Sequence, residues 1–302
     1  MILNNWINNF RLNRAITNRN LCILYHSVGN HDQFNKNTHH VTFEIFAKQI
    51  KKLKIKFVFV DEHDFFNSLS FDRPKILLTF DDNYRHTIQN VAPFLESEKI
   101  PYIFFINSLT AQGQWLWRDK LKLIVNHNLT SDFIHLNNLS IKESEFIKET
   151  KNPNRFNSKL LSTQINEFIF EKKIELKQKQ YNTTEEIKEL SKLNMIKFGN
   201  HSYNHYCLST LMPEEQEAEI GSCDEFLKQN LPQNKISKLF SVPFGSFASY
   251  NDDTINTLKK YNYSGILMSA PYYYYNKNSD LSLEKYNMIG YKRFLPKSYH
   301  RF

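Results

Sequence analysis

Short apolar blocks alternate along the chain with stretches whose apolar positions recur every three or four residues. "LCILY" (21–25), "KILLTF" (75–80) and "PYIFFI" (101–106) are nearly continuous hydrophobic runs, as expected of strands buried on both faces. "KFVFV" (56–60) adds a shorter one, and "MIKFG", "KLFSVPFG", "YSGILMS" and "NMIGYKRF" continue the series. Between them the period changes. "TFEIFAKQIKKL" places Phe43, Phe46, Ala47, Ile50 and Leu53 on one helical face behind a Thr42 N-cap. Ile88, Val91, Ala92 and Leu95 repeat that spacing, "TTEEIKELSKL" and "DDTINTLKKYN" predict further helices, and Pro213 opens another near its first turn. Strands separated by crossover helices must pair in parallel, and seven or eight such units predict an α/β barrel.

One region breaks the rhythm. Residues 112–182 are rich in Asn, Lys and Glu, with apolar spots in "WLWRDKLKLIV" and "INEFIFEKKIEL". This predicts a helical insertion at the mouth of the fold, either a substrate-facing lid carrying Trp115 and Trp117 or a surface excursion. A chain of 302 residues fits one barrel domain spanning 1–302 with that insertion. No apolar run is long enough to span a bilayer, and the N-terminus lacks the apolar core of a secretory signal. Cys22, Cys207 and Cys223 are too scattered for a disulfide framework, and Cys207 is expected as a buried thiol. The expected setting is therefore cytoplasmic. A net charge of +8 favours anionic partners, but the basic residues are interleaved with acidic ones and no nucleic-acid-binding motif accompanies them. Nucleic acid is not an expected partner. The basic segment with Trp6, Phe10, Arg11 and Arg14 offers a weak surface for association with the inner face of the membrane.

Parallel barrels collect their chemistry at the C-terminal ends of the strands. Read in order, those ends deliver His26 after "LCILY", Asp81 and Asp82 after "KILLTF", His201 and His205 after "MIKFG", and Pro243–Phe244–Gly245 after "KLFSV". His201 and His205 stand four apart, which on a helical turn aims both imidazoles at one point. Two imidazoles and a carboxylate make a three-ligand site for a divalent metal, zinc above all, with cobalt or nickel also suited. Such a metal lowers the pKa of a water toward ~7, and whichever carboxylate of the Asp pair does not bind it can then serve as general base. The turn at Pro243 and Phe244 offers the Phe244 amide to a developing oxyanion. His26 is the remaining rim histidine, either the general acid for the leaving amine or a residue that only orients its neighbours.

"LLTFDDNYR", "GNHSYNH" and "SVPFGSF" resemble, in order, three motifs of the NodB-homology polysaccharide deacetylases, a carbohydrate esterase family, and "ILYHSVG" is similar to the Tyr-His opening of one branch. The resemblance covers roughly residues 20–110 and 183–295. It implies a distorted (β/α) barrel of about seven parallel strands, and metal-dependent removal of an N-acetyl, less often O-acetyl, group from a sugar. It also implies Asp81 as base and Asp82, His201 and His205 as metal ligands. Three positions depart from the family pattern. Asn83 replaces the Gly after the Asp pair, although Asn tolerates left-handed backbone. Ser241 stands where many members carry a base-orienting Arg, a role open to Arg293 in "YKRFLP", as is a structural ion pair. "GILMSAPYYYY" lacks the Leu-x-His that supplies the acid, while its Tyr272–Tyr275 run suits sugar stacking or ordinary packing. The expected activity is deacetylation of an N-acetylated carbohydrate at its carbon–nitrogen bond, on a lipid-linked or nucleotide-linked glycan precursor. The alternative is a catalytically weak glycan-binding relative that keeps the metal site.

Overall fold

The computed structural model describes residues 20–30, 39–67, 71–176, 179–270, 280–283 and 288–296. The N-terminal segment with Trp6, Phe10, Arg11 and Arg14 and the Tyr272–Tyr275 run lie outside the described residues. Each long apolar block forms a strand: β1 (Leu21–Tyr25), β5 (Lys75–Phe80), β6 (Tyr102–Ile106), β7 (Ile196–Asn200), β8 (Ile236–Ser241), β9 (Gly265–Ala270) and β11 (Met288–Phe294). These seven pair in parallel, and β1 bonds to β5 on one side and β11 on the other, so the ring closes. The fold is a closed parallel (β/α) barrel. Four shorter strands complete the set: β2 (Ser27–Val28), β3 (His40–Val41), β4 (Val58–Phe59) and β10 (Asp280–Leu283). The "KFVFV" block shrinks to β4, which pairs only with the start of β5. The β2–β3 pair and antiparallel β10 were not foreseen, because two-residue pairings carry no periodic signal.

Around the barrel run α1 (Phe43–Lys56), α2 (Glu62–Phe66), α3 (Arg85–Ser97), α4 (Ser108–Ala111), α9 (Thr184–Leu190), α10 (Pro213–Asn230) and α11 (Asp252–Lys260). Thr42 caps α1 by accepting from the Ile45 amide, and Thr183 with Glu186 forms a capping box on α9. Between β6 and β7 the rhythm is broken by α5 (Trp117–Asn126), α6 (Thr130–Leu136), α7 (Phe146–Glu149) and α8 (Ser158–Glu171). These helices have their own core, in which Leu121, Ile124, Phe133, Phe146, Ile165 and Phe168 pack together.

Strand alternation decides which side chains reach the barrel axis. Ile23, Leu78, Phe80, Phe104 and Phe198 pack outward with the apolar faces of α1 and α3. Cys22, Leu77, Ile103, Phe105, Leu239, Leu267 and Tyr291 form a separate interior cluster. Phe105 fills the space beside Gly199, where a Cβ would come within 2.3 Å of its ring. Stepping two residues further along the inward phase leads from Leu77 to Thr79 and Asp81, from Leu239 to Ser241, and from Tyr291 to Arg293. The apolar ladder of the interior ends in a polar rung.

Candidate metal centre and catalytic cleft

Asp81 and Arg293 close the top of the barrel, each 1% exposed. The guanidinium grips the carboxylate at two points, Nη1 donating to Oδ1 at 2.9 Å and Nη2 to Oδ2 at 2.8 Å. Ser241 Oγ donates to Asp81 Oδ2 at 3.0 Å and accepts from Arg293 Nη2 at 2.7 Å. Burial alone would raise the Asp81 pKa, but the charges of Arg293 and His201, with the hydrogen bonds from Arg293 and Ser241, hold it below the usual carboxylate range. Arg293 thus touches the carboxylate expected to be the base, from the far end of the chain.

Beside this pair, Asp82 Oδ1 lies 3.5 Å from His201 Nε2 and 3.6 Å from His205 Nε2. Three donors on a tetrahedral centre with bonds of ~2.1 Å stand roughly 3.4 Å apart, so the spacing fits a divalent cation. The chemistry of the donors agrees. His201 Nδ1 donates to the Ser241 carbonyl at 2.8 Å, which turns Nε2 toward Asp82. Burial lowers the His201 pKa, but the charges of Asp81 and Asp82 raise it above the usual imidazole value, and a bound cation would take the place of the Nε2 proton. Asp82 Oδ1 is buried and accepts no hydrogen bond. Burial raises the Asp82 pKa, an effect that His201 opposes and the Asp81 charge adds to. Burial, then the nearby His201 and Arg118, push His205 well below the usual imidazole value, so it presents a neutral ligand.

The two histidines do not sit on a helical turn. Residues 201–207 form an irregular loop in which Ser202 (φ 66°) and His205 (φ 60°) adopt left-handed backbone. Ser202 bonds the loop internally, its amide to Asn200 Oδ1 at 2.8 Å and its hydroxyl to the His205 amide at 3.0 Å. Asn107 donates to the His201 and Ser202 carbonyls. The convergence comes from this turn rather than from i, i+4 geometry. Asp82 (φ 77°) and Asn83 (φ 53°) are left-handed too, and Asn83 is fixed by bonds to Thr110 and Asn182. Non-glycine residues in this region carry strain that the surrounding hydrogen bonds must hold.

Phe244 (φ 64°) and Gly245 (φ 67°) continue the turn after Pro243. Only glycine fits at 245, because a Cβ would stand 2.1 Å from Ser269 Oγ. The Phe244 ring leans on His205 at 5.2 Å and on Trp117 at 5.9 Å between centroids. Trp117 Nε1 donates to the His205 carbonyl at 3.0 Å, so the first helix of the insertion braces a candidate ligand. His26 lines the same cavity and stacks on His39 at 5.1 Å. Burial, followed by the charges of His39 and Arg293, pushes His26 well below the usual imidazole pKa. Cys207 is buried and stands outside the ligand cluster. Sequence reasoning missed the Trp117 brace, the Asn83–Asn182 lock and the part of Ser241 in holding Asp81. Ser241 and Arg293 share the inward phase of their strands, a signal the sequence did contain.

The chain matches the polysaccharide deacetylase family model over residues 69–266. No curated protein matches it in sequence. Among solved structures it is similar to the Streptococcus pyogenes deacetylase PplD in complex with acetate, at 16% identity and a TM-score of 0.57, with 92% of this chain and 93% of that one covered. It is also similar to a de-N-acetylase from Aggregatibacter actinomycetemcomitans, at 12% identity and a TM-score of 0.59 over 94% and 97% of the two chains. IcaB from Ammonifex degensii follows at 15% identity and a TM-score of 0.52, with 82% of each chain covered. These structural likenesses concern the fold. With the family model running from before β5 into the start of β9, and so over Asp81, Asp82, His201, His205 and Phe244, the chain belongs to the polysaccharide deacetylases, the amide-hydrolysing carbohydrate esterases.

Proposed function

We propose that this protein is a divalent-metal-dependent hydrolase that removes an N-acetyl group from an amino sugar in a glycan or glycolipid precursor. The observation that carries the reading is the pairing of two buried carboxylates with opposite fates. Asp81 is locked by Arg293 and Ser241, while Oδ1 of its neighbour Asp82 faces two imidazole nitrogens and has no hydrogen bond among the described residues.

Asp82, His201 and His205 would hold the cation, with zinc, cobalt and nickel all compatible with the donor set. When bound, a divalent cation there supplies Lewis acidity, polarising a carbonyl oxygen and making a water more acidic. Asp81, ionised and fixed in orientation, accepts a proton from the attacking water. Arg293 and Ser241 keep that carboxylate aimed, and so act as positioning residues. Phe244 lines the cavity and its amide has no hydrogen bond among the described residues, which supports its role as donor to a developing oxyanion. His26 is neutral at rest, and its depressed pKa makes its imidazolium a strong acid once it has taken a proton. It is the group proposed to relay to the leaving amine the proton that Asp81 takes from the water, a transfer that returns both Asp81 and His26 to their resting states.

Acetate release from an N-acetylated amino-sugar oligomer, measured with zinc-, cobalt- or nickel-loaded protein, tests the reading. Asp81→Asn should lower kcat by ~10³-fold or more with metal still bound, whereas Asp82→Asn should lose the metal. Metal binding and glycan binding without acetate release would instead favour the non-catalytic relative.

A further inference from the structure

Three cations of the inserted segment, Arg118, Lys122 and Lys151, line the same cavity as Asp82, His201 and His205. Their charge is not balanced by the acids around them. Asp81 is taken up by Arg293, and Asp82 faces the two imidazoles. Among the described residues, Asp119 forms an ion pair with one of the three, Lys122, at 2.7 Å, and it also accepts from Tyr84 and Tyr181. The described part of the wall therefore carries more cationic than anionic groups.

Arg118 makes the imbalance plain. It is buried, yet among the described residues its guanidinium donates only to neutral oxygens, Thr150 Oγ1 at 2.9 Å and the Ile147 carbonyl at 3.0 Å, and it stacks 5.0 Å from the Trp117 ring. Buried arginines ordinarily face a carboxylate or phosphate. Lys151 is exposed as a residue, but its ammonium loses solvation where it turns into the cavity. That desolvation, with repulsion from Arg118 and Lys122, pushes its pKa down to about 7. Such a wall would repel the cation of the neighbouring centre unless an anion lay between them.

We infer that the amino sugar entering this cleft carries a phosphate-type anion, a phosphomonoester or a diphosphate, bound by Arg118, Lys122 and Lys151. A multiply charged anion suits a wall of three cationic groups, and its several oxygens suit a planar guanidinium together with two ammonium groups. A neutral polymer would leave the buried guanidinium without an anionic partner. This inference rests on the deacetylase reading for its sugar but not for its anion. A nucleoside diphosphate and a polyprenyl diphosphate present the same chemistry to the wall.

The test compares acetate release from methyl N-acetylglucosaminide, N-acetylglucosamine 1-phosphate, a uridine diphosphate sugar and a polyprenyl diphosphate sugar in detergent micelles. At least one phosphorylated form should exceed the neutral glycoside in kcat/KM by about tenfold or more, and which one it is identifies the carrier. Lys151→Met should cost about tenfold with that substrate and less than about twofold with the neutral one, and Lys151→Arg should restore most of the loss. An equal loss on both substrates would mean that the cations serve the reacting acetyl group or the acetate product, and would overturn the inference. Calorimetry of inorganic phosphate binding to the metal-loaded protein gives a readout independent of turnover. Phosphate affinity that falls about tenfold in Lys151→Met supports the anion site even if no sugar is deacetylated. Absent binding, or binding unchanged in the variant because the ion sits at the metal centre, refutes it.

Discussion

At Asp81 two opposing forces meet: burial works to protonate the carboxyl, and the guanidinium of Arg293 keeps it ionised. With its folded pKa below the unfolded value of ~3.9, the pair stabilises the fold above that pH, and the contribution is lost as the pH falls through the lowered folded pKa. Arg293→Met removes the lowering influence and leaves the burial. The carboxyl should then take up a proton at higher pH, so the acid limb of kcat/KM against pH should move upward in the variant. An unchanged acid limb, with the fold intact by circular dichroism, would remove Arg293 from the positioning role. Some of this was readable beforehand. Asp81 and Arg293 announce themselves by residue type at strand ends, and the period of two places both on the axis. Ser241 was marked only as a departure from the family pattern, because a serine at a strand end shows no role of its own until its hydroxyl is seen between the two charges.

The elements around the centre divide into those that carry the candidate ligands and those that steady them. The loop after β7 carries His201 and His205, but its left-handed residues are serine and histidine rather than glycine, so no composition signal marks the turn. It is held from outside by Asn107 and by α5 of the insertion through Trp117. Trp117→Leu deletes the bond to the His205 carbonyl and the ring contact with Phe244 while keeping an apolar side chain. Metal affinity should weaken by about 10-fold, in the range usual for groups that support ligands, with helix content unchanged. Titration with a competing chelator measures it. The insertion was legible as helical because its apolar spots recur at helical spacing. Its brace and its cationic wall were not, since Trp117, Arg118 and Lys151 carry no spacing that separates them from ordinary surface and core residues.

For the whole molecule, the cavity joins groups from nearly the full length of the described chain, from His26 after β1 to Arg293 in β11. The barrel itself was readable because closed parallel strands are buried on both faces and so appear as unbroken apolar runs, as in β1, where all five residues are buried. A cation that binds only the folded arrangement must stabilise it. At a free concentration about 100 times Kd the linkage amounts to ~2.7 kcal/mol. Chelation should therefore lower Tm in differential scanning fluorimetry, and the Asp82→Asn variant should melt at the same temperature with or without chelator. Among the described residues no helix is long and apolar enough to cross a membrane.

The place of β11 between β1 and β9 has a consequence for how the protein is made. On the ribosome, Asp81 emerges more than two hundred residues before the arginine that must face it, and the wall stays open until the last parallel strand slides into the gap. A nascent chain that has not yet delivered Arg293 holds a half-built cylinder with two unpaired rims and a carboxylate lacking its counter-charge. Hydrolytic competence is therefore expected to switch on late and all at once, when translation has carried the closing strand out of the exit tunnel.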